Sequence, residues 1–287
     1  MNCTLLENAN LAQYCSMKTG GNAKYLALPK NEEELIYAIS FFRQRNEKYV
    51  VVGNCSNLLF TDDGFDGGVI ILTAMRGISF KDGIITANCG ESLSALAKCA
   101  LDNGVTGMEF CYGIPGTVGG AIYMNAGAYG GEICQCFIKG RFLDESLNIV
   151  TLSNEELDFS YRNSLLQRKN LLFLSGEFKG ESGDKAAIRA RMDELMAARK
   201  SKQPLEYPSC GSTFKRPPNN FAGALIEQCG LKGYTIGGAQ VSEKHAGFVI
   251  NIGNATSADV LNLMDYVTAT VLEKTGVKLE PEIRVIR

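Results

Sequence analysis

The chain has 287 residues, 45% of them apolar and 21% charged, with a formal net charge of −2. That length allows two domains with a substantial core, and the composition is that of an ordinary soluble globular protein. The near-neutral balance excludes the clustered basic face that nucleic acid or an anionic membrane surface requires, and no apolar run reaches the roughly 18 to 20 residues of a membrane span.

In chain order, a Gly20-Gly21 turn leads into an apolar, strand-like run ending near Pro29. Asn31 is placed to cap a helix whose N3 residue is Glu34 and whose inner face carries Leu35, Ile39 and Phe42. A strand over residues 48–52 then runs into GNCSNLLF, residues 53–60. Such a small-polar loop at a strand end reads either as backbone N–H groups facing a phosphate or as a plain strand-to-turn connection. Residues 69–72 form a buried strand, and 78–87 a hairpin turning at Asp82-Gly83. Residues 92–103 predict a helix with Leu93, Leu96, Ala100 and Leu101 inward and Gly104 as its stop. β-rich sequence occupies 137–152. The polar and aromatic stretch 158–164 centres on Arg162, which is either a functional group or an ordinary surface cation.

A helix over 184–200 keeps Ile188, Met192 and Leu195 on one side and ends at SKQP, residues 201–204, which has the look of a domain junction. A short helix is expected over 221–229 and a glycine-punctuated strand pair over 237–252. Thr256 and Asp259 form a capping box for a long helix with Val260, Met264, Val267 and Val271 as its core stripe and Gly276 beyond its end. The final residues, 277–287, predict a strand with Glu280, Glu282 and Arg284 on one face, which by itself reads as a solvated edge.

The N-terminus, MNCTLLENANLAQYC, carries neither the basic flank nor the continuous apolar core of a secretion signal, so a cytoplasmic location is expected. Ten cysteines are scattered without a CxxC pair, and His245 is the lone histidine. They read as reduced thiols acting as small buried hydrophobes, and no metal site is expected.

The most distinctive stretch is YGIPGTVGGAIYMNAGAYGGE, residues 112–132, with seven glycines. Glycine costs conformational entropy wherever it is not needed, so this density reads either as backbone lying bare against a ligand or as a set of tight turns. The interleaved apolar residues exclude a flexible linker. No GxGxxG and no GxxxxGK[ST] occurs, which rules out the Rossmann fingerprint and the P-loop as explanations.

Taken together, MKTGGNA (17–23), VGNCSNLLF (52–60), the 112–132 stretch, SYRNS (160–164), SKQP (201–204), CGSTFKRP (210–217), AGALIEQCGLKGYTIGGAQVSEKHAGFVIN (222–251) and LEPEIR (279–284) resemble the UDP-N-acetylenolpyruvoylglucosamine reductase family. The segments run in family order over nearly the whole chain. The resemblance implies an α+β protein with a vanillyl-alcohol-oxidase-type FAD-binding fold of two lobes, residues 1–75 and 76–183, plus a C-terminal α+β substrate-binding domain, residues 184–287. The final strand near 277–287 is an alternative contributor to the flavin site. The implied cofactor is FAD, with NADPH as hydride donor and UDP-N-acetylglucosamine enolpyruvate as acceptor, and with no nucleic-acid or membrane partner.

Carried over motif by motif, the cofactor-binding residues would be Gly53, Asn54, Cys55, Ser56, Asn57 and Leu58 in the first loop. In the second stretch they would be Ile114, Pro115, Gly116, Thr117, Gly119, Gly120, Ala121, Asn125 and Gly127. Ser212 matches the family's proton donor, and Arg162 and Glu282 match its two electrostatic partners. For Glu282 to favour an enolate it would have to be protonated, or hydrogen-bonded to a proton, so a raised pKa is expected there. Tyr161, Lys202, Lys215, Arg216, Gln240, His245 and Arg284 would face substrate, with His245 equally readable as a hydrogen-bonded structural residue. Some family members insert a Tyr-bearing loop over the substrate. This chain has no such insertion between SYRNS and CGSTFKRP and resembles the shorter branch. Two rival readings are an oxygen-using sugar or alcohol oxidase of the same fold and a catalytically silent nucleotide-sugar binder. The first usually anchors flavin through a His near the first loop, where this chain has none, and the second would be free to lose Ser212, Arg162 or Glu282, all of which are present.

Overall fold

The computed structural model describes residues 3–287. The chain begins with β1 (Leu5–Asn10) and β2 (Asn22–Ala27), followed by α1 (Glu32–Gln44), β3 (Tyr49–Val52), β4 (Leu58–Phe60) and β5 (Phe65–Ile71). The hairpin β6 (Ile78–Lys81) and β7 (Ile84–Asn88) precedes α2 (Leu93–Asp102), β8 (Val105–Thr106), α3 (Val118–Met124) and the short pair β9 (Gly127–Ala128) and β10 (Gly131–Glu132). Next come β11 (Phe137–Leu143), β12 (Ile149–Ser153), β13 (Leu172–Phe178), β14 (Glu181–Ser182) and α4 (Lys185–Lys202). The last third holds α5 (Ala222–Gln228), β15 (Thr235–Ile236), β16 (Ala239–Val241), β17 (Val249–Asn251), α6 (Ser257–Thr275) and β18 (Arg284–Ile286).

The chain divides into two compact units, each assembled from separate pieces. The first comprises Met1–Leu5, Leu26–Asn54 and Gly68–Arg199; the second comprises Leu6–Tyr25, Cys55–Gly67 and Lys200–Arg287. A four-stranded sheet is ordered β1-β2-β5-β3.

In the first unit, α1 starts where its sequence says it should. The Asn31 side chain accepts from Glu34 N at 2.9 Å, and the Glu34 carboxylate accepts from Lys30 N at 2.9 Å. Leu35, Ile39 and Phe42 are buried. β3 pairs in parallel with β5, Tyr49 opposite Gly68 through Val52 opposite Ile71. A five-stranded antiparallel sheet, ordered β12-β11-β13-β7-β6, turns its β6–β7 corner at Asp82 and Gly83, both at positive φ (50° and 81°) as a type I′ hairpin demands. Its centre is β13, whose Phe173 and Phe178 meet Phe137 and Phe142 edge to face at ring separations of 5.4 to 6.3 Å. Each such ring contributes about 2 to 3 kcal/mol by burial, so this cluster anchors the sheet.

In the second unit, α6 opens on a capping box in which Thr256 accepts from Asp259 N at 3.0 Å and Asp259 accepts from Thr256 N at 3.0 Å. Val260, Met264, Val267 and Val271 are its buried stripe, and Gly276 closes it at φ 73°. β15, β16 and β17 form an antiparallel sheet, and β18 pairs in parallel with β4, Arg284 opposite Leu58 through Ile286 opposite Phe60. The strand predicted over 277–287 is therefore corrected to three residues. Pro281 has no N–H to offer a ladder, and the segment before Arg284 is irregular except for one bridge between Pro281 and Phe214. Among the described residues, no helix is long and apolar enough to cross a membrane and no group of three or more His, Cys, Asp or Glu is arranged to hold a metal ion.

Candidate functional site

Each unit contributes its own cluster of the predicted residues. In the first, β3 ends into Gly53 and Asn54, and the Asn54 amide donates to the Pro115 carbonyl at 2.8 Å, fastening the loop to the glycine-rich stretch. Gly53 is required by close approach: a Cβ there would lie 2.3 Å from Thr117 Oγ1. The stretch itself is not a loose loop. Leu93 N donates to Gly116 O at 3.1 Å, Val118 N to Glu91 O at 2.8 Å and Gly119 N to Cys89 O at 2.9 Å. Thr117 caps α3 by accepting from Gly120 N at 3.2 Å. Ile114, Pro115 and Gly116 lead into that cap, and Ala121 is buried on the inner face of the helix.

Asn125 ends α3 in the left-handed region (φ 43°), wholly buried. Its amide donates to Glu132 Oε2 at 2.9 Å and Ser160 O at 3.0 Å, and its carbonyl oxygen accepts from Cys134 N at 3.2 Å. The side chain is thus committed to shaping the loop and to holding the segment that carries Arg162. A tight turn from Ser160 to Asn163 sets Arg162 at φ 53°, its guanidinium donating to Gly127 O at 3.1 Å and lying 4.9 Å from the Tyr161 ring centroid. A left-handed non-glycine residue stores strain, and such positions concentrate at functional sites.

One residue of this unit escaped the sequence reading. Arg199, on α4, is only 8% exposed, stands 5.8 Å from the Tyr129 ring and packs so closely on Gly113 that a Cβ there would be 3.3 Å from Arg199 Cδ. Burial draws its pKa below the usual guanidinium value. Its signal was available: Ile188, Met192, Leu195 and Arg199 fall at helical spacing on one buried face, so the charge sits where an apolar residue is expected.

The second unit holds Ser212, Glu282 and residues 55–58 of the first cofactor loop. Ser212 is exposed between Gly211 and Thr213, and Thr213, with no exposed surface, is tied on three sides. Its N–H donates to Gly247 O at 2.9 Å, its Oγ1 accepts from Val249 N at 2.9 Å, and its carbonyl accepts from Glu282 N at 2.8 Å. Asn57 braces the same segment from the other side, its amide donating to Glu282 O at 3.1 Å and its carbonyl accepting from Arg284 N at 3.0 Å. Ser212 and Glu282 are therefore presented by adjacent backbone. Cys55 is buried at φ 49°, with Ser56 and Leu58 half-buried beside it in the chain.

The remaining candidates are dispersed. Lys215 pairs with the exposed Glu280 at 3.4 Å, and Arg216 stacks 4.1 Å from the ring of Phe221, which is 60% exposed. Lys202 is exposed at the end of α4, and Arg284 is exposed on β18. Gln240 donates to Thr235 Oγ1 at 3.0 Å within the β15–β16 hairpin. His245 accepts from Gly247 N at Nδ1, 3.1 Å, and meets Phe248 edge to face, and burial pushes its pKa below the ordinary imidazole value.

Comparison with known proteins gives consistent matches. The family described as FAD binding domain matches residues 23–153, and that described as UDP-N-acetylenolpyruvoylglucosamine reductase, C-terminal domain, matches residues 203–286. A UDP-N-acetylenolpyruvoylglucosamine reductase from Caldanaerobacter subterraneus subsp. tengcongensis is 50% identical over 97% of this chain and 92% of its own length. One from Latilactobacillus sakei is 48% identical over the same shares. The crystal structure of UDP-N-acetylenolpyruvylglucosamine reductase from Thermus caldophilus superposes with a TM-score of 0.84 at 33% identity, covering 99% of both chains. Aclacinomycin oxidoreductase, at a TM-score of 0.51 and 15% identity over 98% of this chain and 63% of that one, shares the fold.

Proposed function

This chain belongs to the UDP-N-acetylenolpyruvoylglucosamine reductase family, and we propose that Ser212, Arg162 and Glu282 are the groups through which it carries out the family reaction. It is an FAD-dependent oxidoreductase with the vanillyl-alcohol-oxidase-type fold and a C-terminal α+β domain, and it reduces UDP-N-acetylglucosamine enolpyruvate to UDP-N-acetylmuramate with NADPH in peptidoglycan synthesis. We place that step in the cytoplasm, serving cell shape and division, with lobes at 1–75, 76–183 and 184–287.

The residues present fit FAD. At Gly120 a Cβ would meet nothing nearer than Thr117 Oγ1 at 3.4 Å, so one side of the first turn of α3 is open backbone. Gly53, Asn54, Ser56 and Asn57 offer small side chains and main-chain amides suited to phosphate oxygens without a counter-cation. When bound, FAD relays hydride from NADPH to C3 of the enolpyruvyl group. The addition drives negative charge toward the adjacent carboxylate. Arg162 suits that carboxylate because its planar fork of donors matches two oxygens, and its fixed turn spares it the entropy of finding the pose. Glu282 is the second electrostatic partner of the same charge. The Ser212 hydroxyl then gives its proton to C2. The carbanion is a far stronger base than serinate, so a weak acid suffices once a neighbour eases the charge.

The observation that carries this assignment is the Glu282 N–H to Thr213 carbonyl bond at 2.8 Å, which sets the proton-donor motif and the acidic motif side by side in one unit. The test is Ser212→Ala studied by half-reaction under anaerobic conditions. NADPH should bleach the flavin at the wild-type rate, while reoxidation by the enolpyruvyl nucleotide sugar slows by about 10² to 10⁴. Equal loss of both half-reactions would remove Ser212 from the proton-donor role.

A further inference from the structure

The second unit holds a pair of thiols that the reaction does not use. Leu58 opens β4, and the carbonyl before it, that of Asn57, points to β18, so by strand alternation the Leu58 carbonyl points away from it. Among the described residues no strand pairs with that side. Instead Cys15 Sγ donates to the Leu58 oxygen at 3.2 Å and Cys210 Sγ donates to the same oxygen at 3.0 Å. The two sulfurs are thereby held against one acceptor atom. Both residues are buried, at 1% and 2% exposure, yet Cys210 lies beneath an open loop: Ser212 is exposed, and a Cβ on Gly211 would meet nothing within 4 Å.

We propose that Cys15 and Cys210 form a dithiol site that a water-sized hydroperoxide converts to a disulfide, tethering the loop that carries Ser212 to residue 15.

The electrostatics suit the first sulfur as nucleophile. Once Cys15 is a thiolate, the Cys210 S–H can turn from the Leu58 oxygen to it, and that hydrogen bond, helped by main-chain hydrogen bonding, outweighs burial and brings the Cys15 thiol down to about 7. The hydrogen bond to Cys15, followed by burial, pushes Cys210 well up. In the first step the Cys15 thiolate attacks the peroxide, an S–O bond forms, the O–O bond breaks, and the departing hydroxide takes a proton to leave as water. In the second step the Cys210 sulfur attacks the sulfenic acid, the S–S bond forms, the S–O bond breaks, and a second water leaves with the Cys210 proton. Two thiols are oxidised by two electrons and one peroxide is reduced to two waters. The disulfide removes both S–H donors from the Leu58 carbonyl and draws Cys210, two residues from Ser212, toward the N-terminal segment. Slowing of the nucleotide-sugar half-reaction on oxidation rests on the role given to Ser212 above; formation of the disulfide does not.

The experiment treats the FAD-loaded enzyme with a small excess of hydrogen peroxide at neutral pH, alkylates under denaturing conditions and maps the cysteines by mass spectrometry. Cys99 and Cys134 are the partly exposed thiols, and burial raises both of their pKa values, so they serve as internal competitors. The linked Cys15–Cys210 peptide, reversed by dithiothreitol, should exceed oxidation at Cys99 or Cys134 by about tenfold, the margin left when a lower pKa also lowers nucleophilicity. Oxidation confined to Cys99 and Cys134, or a link from Cys15 to Cys55 instead, would overturn the proposal. In Cys15→Ser, Cys210 should remain reduced; its oxidation at the wild-type rate would also overturn it.

Discussion

Replacing Gly53 by alanine tests whether the first cofactor loop is held against α3 by bare backbone. The new Cβ would lie 2.3 Å from Thr117 Oγ1, about 1 Å inside ordinary contact. Thr117 is 4% exposed and cannot swing into solvent, and its Oγ1 is already the acceptor for Gly120 N. Relief therefore requires either a shift of the loop or a turned Thr117 side chain that gives up the cap. Overpacking costs about 1 to 3 kcal/mol and a lost Thr cap about 0.5 to 2, so by either route Gly53→Ala should destabilise the protein by about 1 to 3 kcal/mol. Thermal unfolding should read this as a drop of roughly 2 to 5 °C, and FAD affinity measured by flavin fluorescence should fall with it. The double variant Gly53→Ala/Thr117→Gly removes the obstructing hydroxyl while a glycine cap loses only a few tenths of a kcal/mol against threonine. It should regain most of the stability. A single variant within about 0.5 kcal/mol of wild type, or a double variant less stable than the single, would refute the reasoning.

Two further outcomes follow from the second unit. Asp62 Oδ2 accepts from Ser257 N and Ser257 Oγ, each at 2.8 Å, at the first turn of α6, so Asp62→Ala should lower unfolding free energy by about 1 to 2 kcal/mol in urea titration, and Asp62→Asn by less. As the lone histidine, His245 gives a single imidazole signal by NMR, which should titrate below 6.5 because burial disfavours the imidazolium, while the Nδ1 bond from Gly247 N leaves the proton on Nε2. The unfolded chain then binds that proton at higher pH than the folded one, so this contribution is full above 6.5 and is lost as pH falls through 6.5 toward the folded value. His245→Gln should flatten the pH dependence of stability in that window.

Local chemistry made much of the fold readable. The Asn31 and Glu34 cap, the Asp82-Gly83 corner and the Thr256 and Asp259 box each lie within a few residues, and each forms the element it signals. α3 was hidden because two of its seven residues are glycines, which argue against a helix by propensity; its caps, Thr117 and Asn125, were the signals that outweighed them. β13 was passed over because its run LFLSGEF alternates poorly, as expected of a central strand covered on both faces. The β4–β18 pair was invisible because a three-residue parallel pairing between distant segments leaves no local mark. For the site, motif resemblance named Ser212, Glu282 and Arg162, but the connections among residues 57, 213 and 282 run through backbone carbonyls, which have no residue signature.

The parallel pairing of β18 with β4 has a bearing on how the chain is made. Residues 58–60 are synthesised well before their partner at 284–286. At about 5 to 20 residues per second, that edge of β4 waits on the order of 10 to 45 seconds for its neighbour. The first unit ends at Arg199 and has all of its pieces well before that. Vectorial synthesis thus imposes an order, first unit then second, and leaves an apolar strand edge as a natural client surface for nascent-chain chaperones until residues 284–286 arrive.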